Sequence, residues 1–137
     1  MMLKHLWIVL LIAGMSWLNT GCEIFGPSDP SPIILKESQA GNTVEVSVGE
    51  TFKVVLEGNP TTGYTWEINT LDTGILAQRG EPEFKPDSNA IGSGGTFTFT
   101  FQAVNIGQTI LRLIYHRSWE QDVPPLKTFE VVVIVNQ

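Results

Sequence analysis

The chain predicts an all-β domain, an antiparallel β-sandwich, on three observations. Apolar residues recur at period two in one stretch after another, clusters of Gly, Pro and Asn separate those stretches, and no stretch from Ile33 onward carries the 3.6-residue period of a helix. About seven short strands of this kind fit two packed sheets. A small closed barrel is the alternative, and periodicity alone does not separate the two.

The elements follow in order. Ile33–Glu37 is a weak strand, and Thr43-Val44-Glu45-Val46-Ser47-Val48 alternates until Gly49-Glu50 closes it. In Thr51–Glu57, Phe52, Val54 and Leu56 alternate with Lys53, Val55 and Glu57. In Tyr64–Asn69, Tyr64, Trp66 and Ile68 alternate with Thr65, Glu67 and Asn69. Ile75–Phe84 is weaker and is expected to bend at Gly80. Thr96–Ala103 has the cleanest stripe, Phe97, Phe99, Phe101 and Ala103 against Thr96, Thr98, Thr100 and Gln102. In Thr109–Tyr115, Leu111, Leu113 and Tyr115 face away from Arg112. Within Lys127–Val135, the run from Phe129 is apolar on both faces, as in a strand covered on both sides. Each large apolar side chain buried contributes roughly 1.5–3 kcal/mol, so these aromatics can hold a core without a disulfide.

Composition removes several functional classes. At 137 residues the chain is too short for a multidomain enzyme, a TIM barrel or a two-lobed kinase. Lys and Arg number 8 against 14 Asp and Glu, and no basic cluster exists to neutralise phosphates, so nucleic acid is excluded as a partner. One Cys rules out an internal disulfide, a Cys-based zinc site and an iron–sulfur cluster. Two histidines, His5 and His116, leave no basis for a metal site, and no cofactor is expected. An enzyme reading lacks parts as well: beyond residue 21 there is one His, His116, the only Cys would be lipid-linked, and no Ser lies in a nucleophile-elbow context.

The first residues read as an address. A positive start at Lys4 precedes an almost wholly apolar run, Leu6–Leu18, which is shorter than the ~20 residues that span a bilayer. Leu18-Asn19-Thr20-Gly21-Cys22 resembles a bacterial lipobox, although Asn19 stands where an aliphatic or small residue is usual. The resemblance implies that residues 1–21 are a lipoprotein signal peptide and that Cys22 is acylated; the alternative is an ordinary secretory signal with an incidental Cys. Residues 22–32, with Pro27, Pro30 and Pro32 among Ser and Gly, form a tether, and residues 33–137 the domain. The expected location is the bacterial envelope, reached by export and held by the lipid anchor. Glu23 in place of Asp favours the outer membrane.

In an up-and-down path every second connection lies at the same end of the sandwich. Three unusual connections therefore cluster: Gly58-Asn59-Pro60-Thr61-Thr62-Gly63, the segment Ala90-Ile91-Gly92-Ser93-Gly94-Gly95, and His116–Leu126. This holds unless Leu71–Gln78 hides an additional traverse. The connections at the other end are tight turns, and long loops on a rigid scaffold are where binding resides. Taken singly each loop has an ordinary explanation: an Asn-Pro turn, a flexible hairpin tip, a strand-end cation beside a half-buried ring. The Gly-rich loop runs from strand to strand, so it offers no helix N-terminus to a phosphate.

Together the three segments resemble the signature loops of the chagasin family. Its members are proteinaceous inhibitors of papain-like cysteine peptidases with an immunoglobulin-like β-sandwich. Asn59-Pro60-Thr61-Thr62-Gly63-Tyr64 and Gly92-Ser93-Gly94-Gly95 match in full, whereas Arg117-Ser118-Trp119 has Ser118 where the family has Pro. The resemblance implies a peptidase-binding set of Asn59, Pro60, Thr61, Thr62, Gly63, Tyr64, Gly92, Gly94, Gly95, Arg117 and Trp119. Thr61 and Thr62 would sit over the catalytic Cys–His pair, the Gly92–Gly95 backbone would line one wall of the cleft, and Trp119 would stack on the other. Arg117 would supply a charged or stacking contact. The implied molecule is a monomer that is no enzyme and has a papain-like cysteine peptidase as partner. The rival is a cell-surface binding or adhesion module using the same loops on another ligand.

Overall fold

The computed structural model describes residues 31–137. The expected signal peptide, Cys22 and all but the last two residues of the expected tether lie outside the described residues.

Among the described residues nine strands form two layers. They are β1 (Ile33–Lys36), β2 (Thr43–Ser47), β3 (Thr51–Gly58), β4 (Thr65–Thr70), β5 (Leu76–Gln78), β6 (Glu83–Pro86), β7 (Gly95–Ala103), β8 (Gly107–His116) and β9 (Lys127–Asn136). One sheet runs β1-β3-β7-β5 with β6 also on β7, and the other runs β2-β9-β8-β4. The only helical turns among the described residues are two 3-10 turns, Glu37–Gln39 and Pro60–Thr62.

Period-two alternation becomes one-sided burial. From β3 come Phe52, Val54 and Leu56; from β7, Phe97, Phe99, Phe101 and Ala103; from β8, Leu111, Leu113 and Tyr115; from β9, Phe129, Val131, Val133 and Val135. Trp66, Leu76, Leu35 and Val46 complete the core, and no charged or polar residue is buried among the described residues. Phe52 and Phe101, partners in register, stack at 5.5 Å.

Three details depart from the sequence reading. The central pairs are antiparallel, but β1 runs parallel to β3 (Ile33↔Phe52) and β2 parallel to β9 (Thr43↔Val132). Each of these edge strands joins a partner that is not its neighbour in sequence. The stretch Ile75–Phe84 is two strands. Gly80, at φ +72, divides β5 from β6, and both run antiparallel to β7, from Leu76↔Ala103 to Pro86↔Gly95. They amount to one traverse, so Leu71–Gln78 hides no extra crossing. Finally, β9 is covered on one face only, since Glu130, Val132 and Ile134 are half-buried. Its outward aliphatics lack a third layer.

The topology puts the ends of β3, β6 and β8 and the starts of β4, β7 and β9 together, because Gly58 pairs with Gly95 and Thr65 with His116. At the other end the β2–β3 turn is tied to the end of β7, where Gly49 N–H donates to Ala103 C=O at 2.7 Å.

Candidate functional site

Loop 1, Asn59–Gly63, is a single 3-10 turn whose cap chemistry is complete. The Asn59 side-chain oxygen accepts from the Thr61 N–H at 3.1 Å and from the Thr61 hydroxyl at 2.6 Å. Pro60 occupies the first turn position, where its missing N–H costs nothing. The Thr62 hydroxyl donates to Asn59 C=O at 2.6 Å. Gly63 ends the turn in the left-handed region at φ +84, a conformation that favours glycine. Pro60, Thr61 and Thr62 form the exposed tip.

Loop 2 is the tip of the β6–β7 hairpin. Asp87 N–H donates to Gly94 C=O at 2.9 Å, and Ser93 N–H donates to Ala90 C=O at 3.1 Å. The Ser93 hydroxyl accepts from Ser88 N–H at 3.2 Å, so the tip is closed by its own side chains. Gly92, at φ +81, is exposed, Gly94 is half-buried, and Gly95 is buried. This corrects the expectation that the whole Gly92–Gly95 backbone is free to meet a partner. A Cβ on Gly95 would lie 2.2 Å from Lys85 C=O, so this glycine serves the close approach of β6 and β7. The surface that remains is the exposed run Ser88–Gly92, with Gly94 half-buried behind it.

Loop 3, between β8 and β9, begins with a turn in which Glu120 N–H donates to Arg117 C=O at 3.1 Å. Arg117, expected to point at a partner, is turned onto its own molecule. Its Nε donates to Thr62 C=O at 3.2 Å, its guanidinium pairs with Glu120 at 3.0 Å, and it lies 4.5 Å over the Tyr64 ring. The Glu120 hydrogen bond holds the Arg117 pKa above its ordinary value. Trp119 is 66% exposed, yet one edge of its indole rests on loop 1: a Cβ on Gly63 would lie 2.3 Å from Trp119 Cη2.

The loops therefore touch. Asn59 joins loop 1 to loop 2 through its side-chain N–H₂, which donates to Gly92 C=O at 3.0 Å. Arg117 and Trp119 join loop 3 to loop 1. Beneath them Tyr64 stacks on Tyr115 at 5.3 Å, which makes Tyr64 a support and not part of the exposed tip. The predicted set is thus gathered at one end, with Pro60, Thr61, Thr62, Gly92 and Trp119 facing out, Gly94 half-buried behind Gly92, and Asn59, Gly63, Tyr64, Gly95 and Arg117 holding them.

Two functional residues escaped the sequence reading. Tyr115 accepts a hydrogen bond from Asn59 N–H through its hydroxyl, at 2.7 Å. An inward-facing tyrosine at the end of an apolar stripe was the available signal, since a buried phenol needs a partner. Glu120 was legible only as a charge near Arg117.

The hollow among Tyr64, His116, Arg117, Glu120, Val123 and Pro124 holds about 10 Å³, room for no ligand larger than a water. Asn59–Gly63 and Ser88–Gly94 carry no charge, and the Arg117 charge is already paired with Glu120. Among the described residues no cluster of three or more His, Cys, Asp or Glu could hold a metal. The loop-1 turn and the paired Arg117 can therefore enter another protein's cleft without stranding an unpaired charge.

Comparison with known proteins gives this end a context. Residues 45–133 match the model of the chagasin family peptidase inhibitor I42. Amoebiasin-2 of Entamoeba histolytica is 30% identical over 106 residues, 74% of this chain and 84% of that one. Chagasin of Trypanosoma cruzi is 32% identical over 100 residues, 70% of this chain and 91% of that one. The crystal structure of a cysteine protease inhibitor from Entamoeba histolytica superposes with a TM-score of 0.69 at 26% identity, covering 76% of this chain and 95% of that one. With its β-sandwich and its three joined loops, the chain belongs to the chagasin family of peptidase inhibitors.

Proposed function

We propose that the domain is a reversible, substrate-competitive inhibitor of papain-like cysteine peptidases and that it acts by filling the catalytic cleft with loops 1, 2 and 3. It is an inhibitor and not an enzyme. The observation that carries this reading is the pair of cross-loop hydrogen bonds, Asn59 to Gly92 C=O and Arg117 to Thr62 C=O, which make three loops one ridge. A ridge already joined loses little freedom on docking, which spares about 0.5–1.5 kcal/mol for each side chain that would otherwise be immobilised.

The tip is poorly cleavable for a geometric reason. A peptidase of this class reads substrate as an extended strand, and the Thr61–Thr62 peptide is curled in a 3-10 turn held by Asn59 and Gly63. Thr61 and Thr62 sit over the catalytic pair, Gly92 lies along one wall, and the open face of Trp119 stacks on the other. Aromatic anchors of this sort are where truncation costs upward of ~2 kcal/mol.

Export and acylation at Cys22 place the inhibitor on the envelope, on the outer-membrane side, with the proline-rich tether holding it off the surface. It acts as a monomer. The support for anchoring is the sequence pattern around Cys22 alone. Labelling cells with palmitate tests it: wild type should incorporate label and Cys22→Ala should not.

The inhibitory reading is tested by following a fluorogenic peptide with papain and with cathepsin L. The expected result is loss of activity that higher substrate overcomes and dilution reverses. Unchanged activity of both enzymes at micromolar protein overturns it.

A further inference from the structure

The second half of loop 3 has a feature that cleft filling does not require. Val123, Pro124, Pro125 and Leu126 are four consecutive apolar residues, all exposed, with Val123 at 55% and Leu126 at 60%. Apolar runs of this length on a surface favour association and are retained where they bind. The run is also held in place. Asp122 before it adopts the left-handed region at φ +59, Leu126 N–H donates to Tyr115 C=O at 2.8 Å, and the two prolines fix their own φ.

Its place in the fold is beside the ridge. Val123 and Pro124 border Tyr64, Arg117 and Glu120, and Pro125 borders Ile114 and Arg112 on the outer face of β8. The strip therefore continues the ridge from Trp119 down the flank of the β2-β9-β8-β4 sheet. Pro124 and Pro125 have no N–H to offer a sheet edge, so it cannot dock as an added strand. Its chemistry is apolar burial within a polar rim, with Asp122 on one side and Lys127 on the other.

We propose that Val123–Leu126 is an exosite, which lands on an apolar patch of the peptidase surface beside the cleft and selects among papain-like peptidases by that patch. The inference rests on the inhibitory reading of the three loops and adds a contact outside the substrate groove. Enzymes alike in their catalytic clefts but unlike on this flank are then held with different lifetimes.

The test compares wild type, Val123→Ser/Leu126→Ser and Thr62→Glu against papain, cathepsin L and cathepsin B. Both serines replace exposed side chains, and a matching thermal midpoint confirms that the fold is kept. The double variant should raise the inhibition constant on the order of 10–100-fold for at least one enzyme and leave another nearly unchanged. The change should lie in the dissociation rate, while Thr62→Glu weakens inhibition of every enzyme. Equal constants for wild type and double variant against every enzyme that wild type inhibits overturn the exosite and leave the ridge intact. A wild type that inhibits none of them overturns both. A wild-type dimer by sedimentation that the double variant dissolves, with unchanged inhibition, assigns the strip to self-association and also overturns the proposal.

Discussion

The hydroxyl of Tyr115, on β8 in one sheet, accepts the backbone N–H of Asn59, which follows β3 in the other, at 2.7 Å. This bond spans the two layers directly beneath the ridge, so the posture of loop 1 is set by a core residue. Tyr115 also packs on Trp66 at 5.2 Å and on Tyr64 at 5.3 Å.

Tyr115→Phe removes the hydroxyl and keeps the ring. It leaves the part-buried Asn59 N–H without its partner, at about 1–3 kcal/mol. A lowered thermal midpoint is expected, together with an inhibition constant weaker by about 5–150-fold, in line with that energy. If inhibition is unchanged while the midpoint falls, the bond serves stability alone.

Arg117→Lys tests the link between loops 1 and 3. Lysine keeps the charge but has no planar fork to reach Thr62 C=O and Glu120 together while stacking on Tyr64. Inhibition should weaken nearly as much as in Arg117→Ala, and Trp119 fluorescence should shift as its seat on Gly63 loosens. Full activity of the Lys variant would mean that charge alone matters.

The glycines of loop 2 should separate by role. In Gly95→Ala the new Cβ meets the Lys85 carbonyl at 2.2 Å, and backbone must move. A loss on the order of 2 kcal/mol or more is expected, visible as an earlier chemical-denaturation midpoint. In Gly94→Ala the nearest atom is Gly58 C=O at 3.4 Å, so stability should stay within about 0.5 kcal/mol. Equal effects at the two positions contradict the assignment of Gly95 to the fold.

Ser118→Pro should tighten inhibition. Ser118 is the second residue of the turn closed by Glu120 N–H on Arg117 C=O, the position where proline is favoured. Restricting the unbound loop contributes about 0.4–1 kcal/mol, a two- to fivefold gain in the inhibition constant. A clear loss shows that the turn has a different backbone in the complex.

The strands were legible because a sheet buried on one face writes its burial at period two, as the Phe97, Phe99 and Phe101 stripe does. The gathering of the loops was legible too, since alternate connections of a sandwich share an end. Pairings set by distant segments were not. Nothing local in Ile33–Lys36 or Thr43–Ser47 distinguishes a strand parallel to β3 or β9 from an antiparallel one. The motif residues could be found by their order, but their division into tip and support could not. Arg117 turning inward, Gly95 sinking beneath β6 and Tyr115 reaching Asn59 are relations between residues far apart in the chain.

The central claim is that one joined ridge occupies the cleft. Hydrogen exchange of the protein alone and saturated with papain measures this most directly. Protection should appear together over Asn59–Gly63, Ile91–Gly94 and Arg117–Trp119, with the β2–β3 turn at Gly49 unaffected. Protection centred on that turn, or on only one of the three loops, would contradict it.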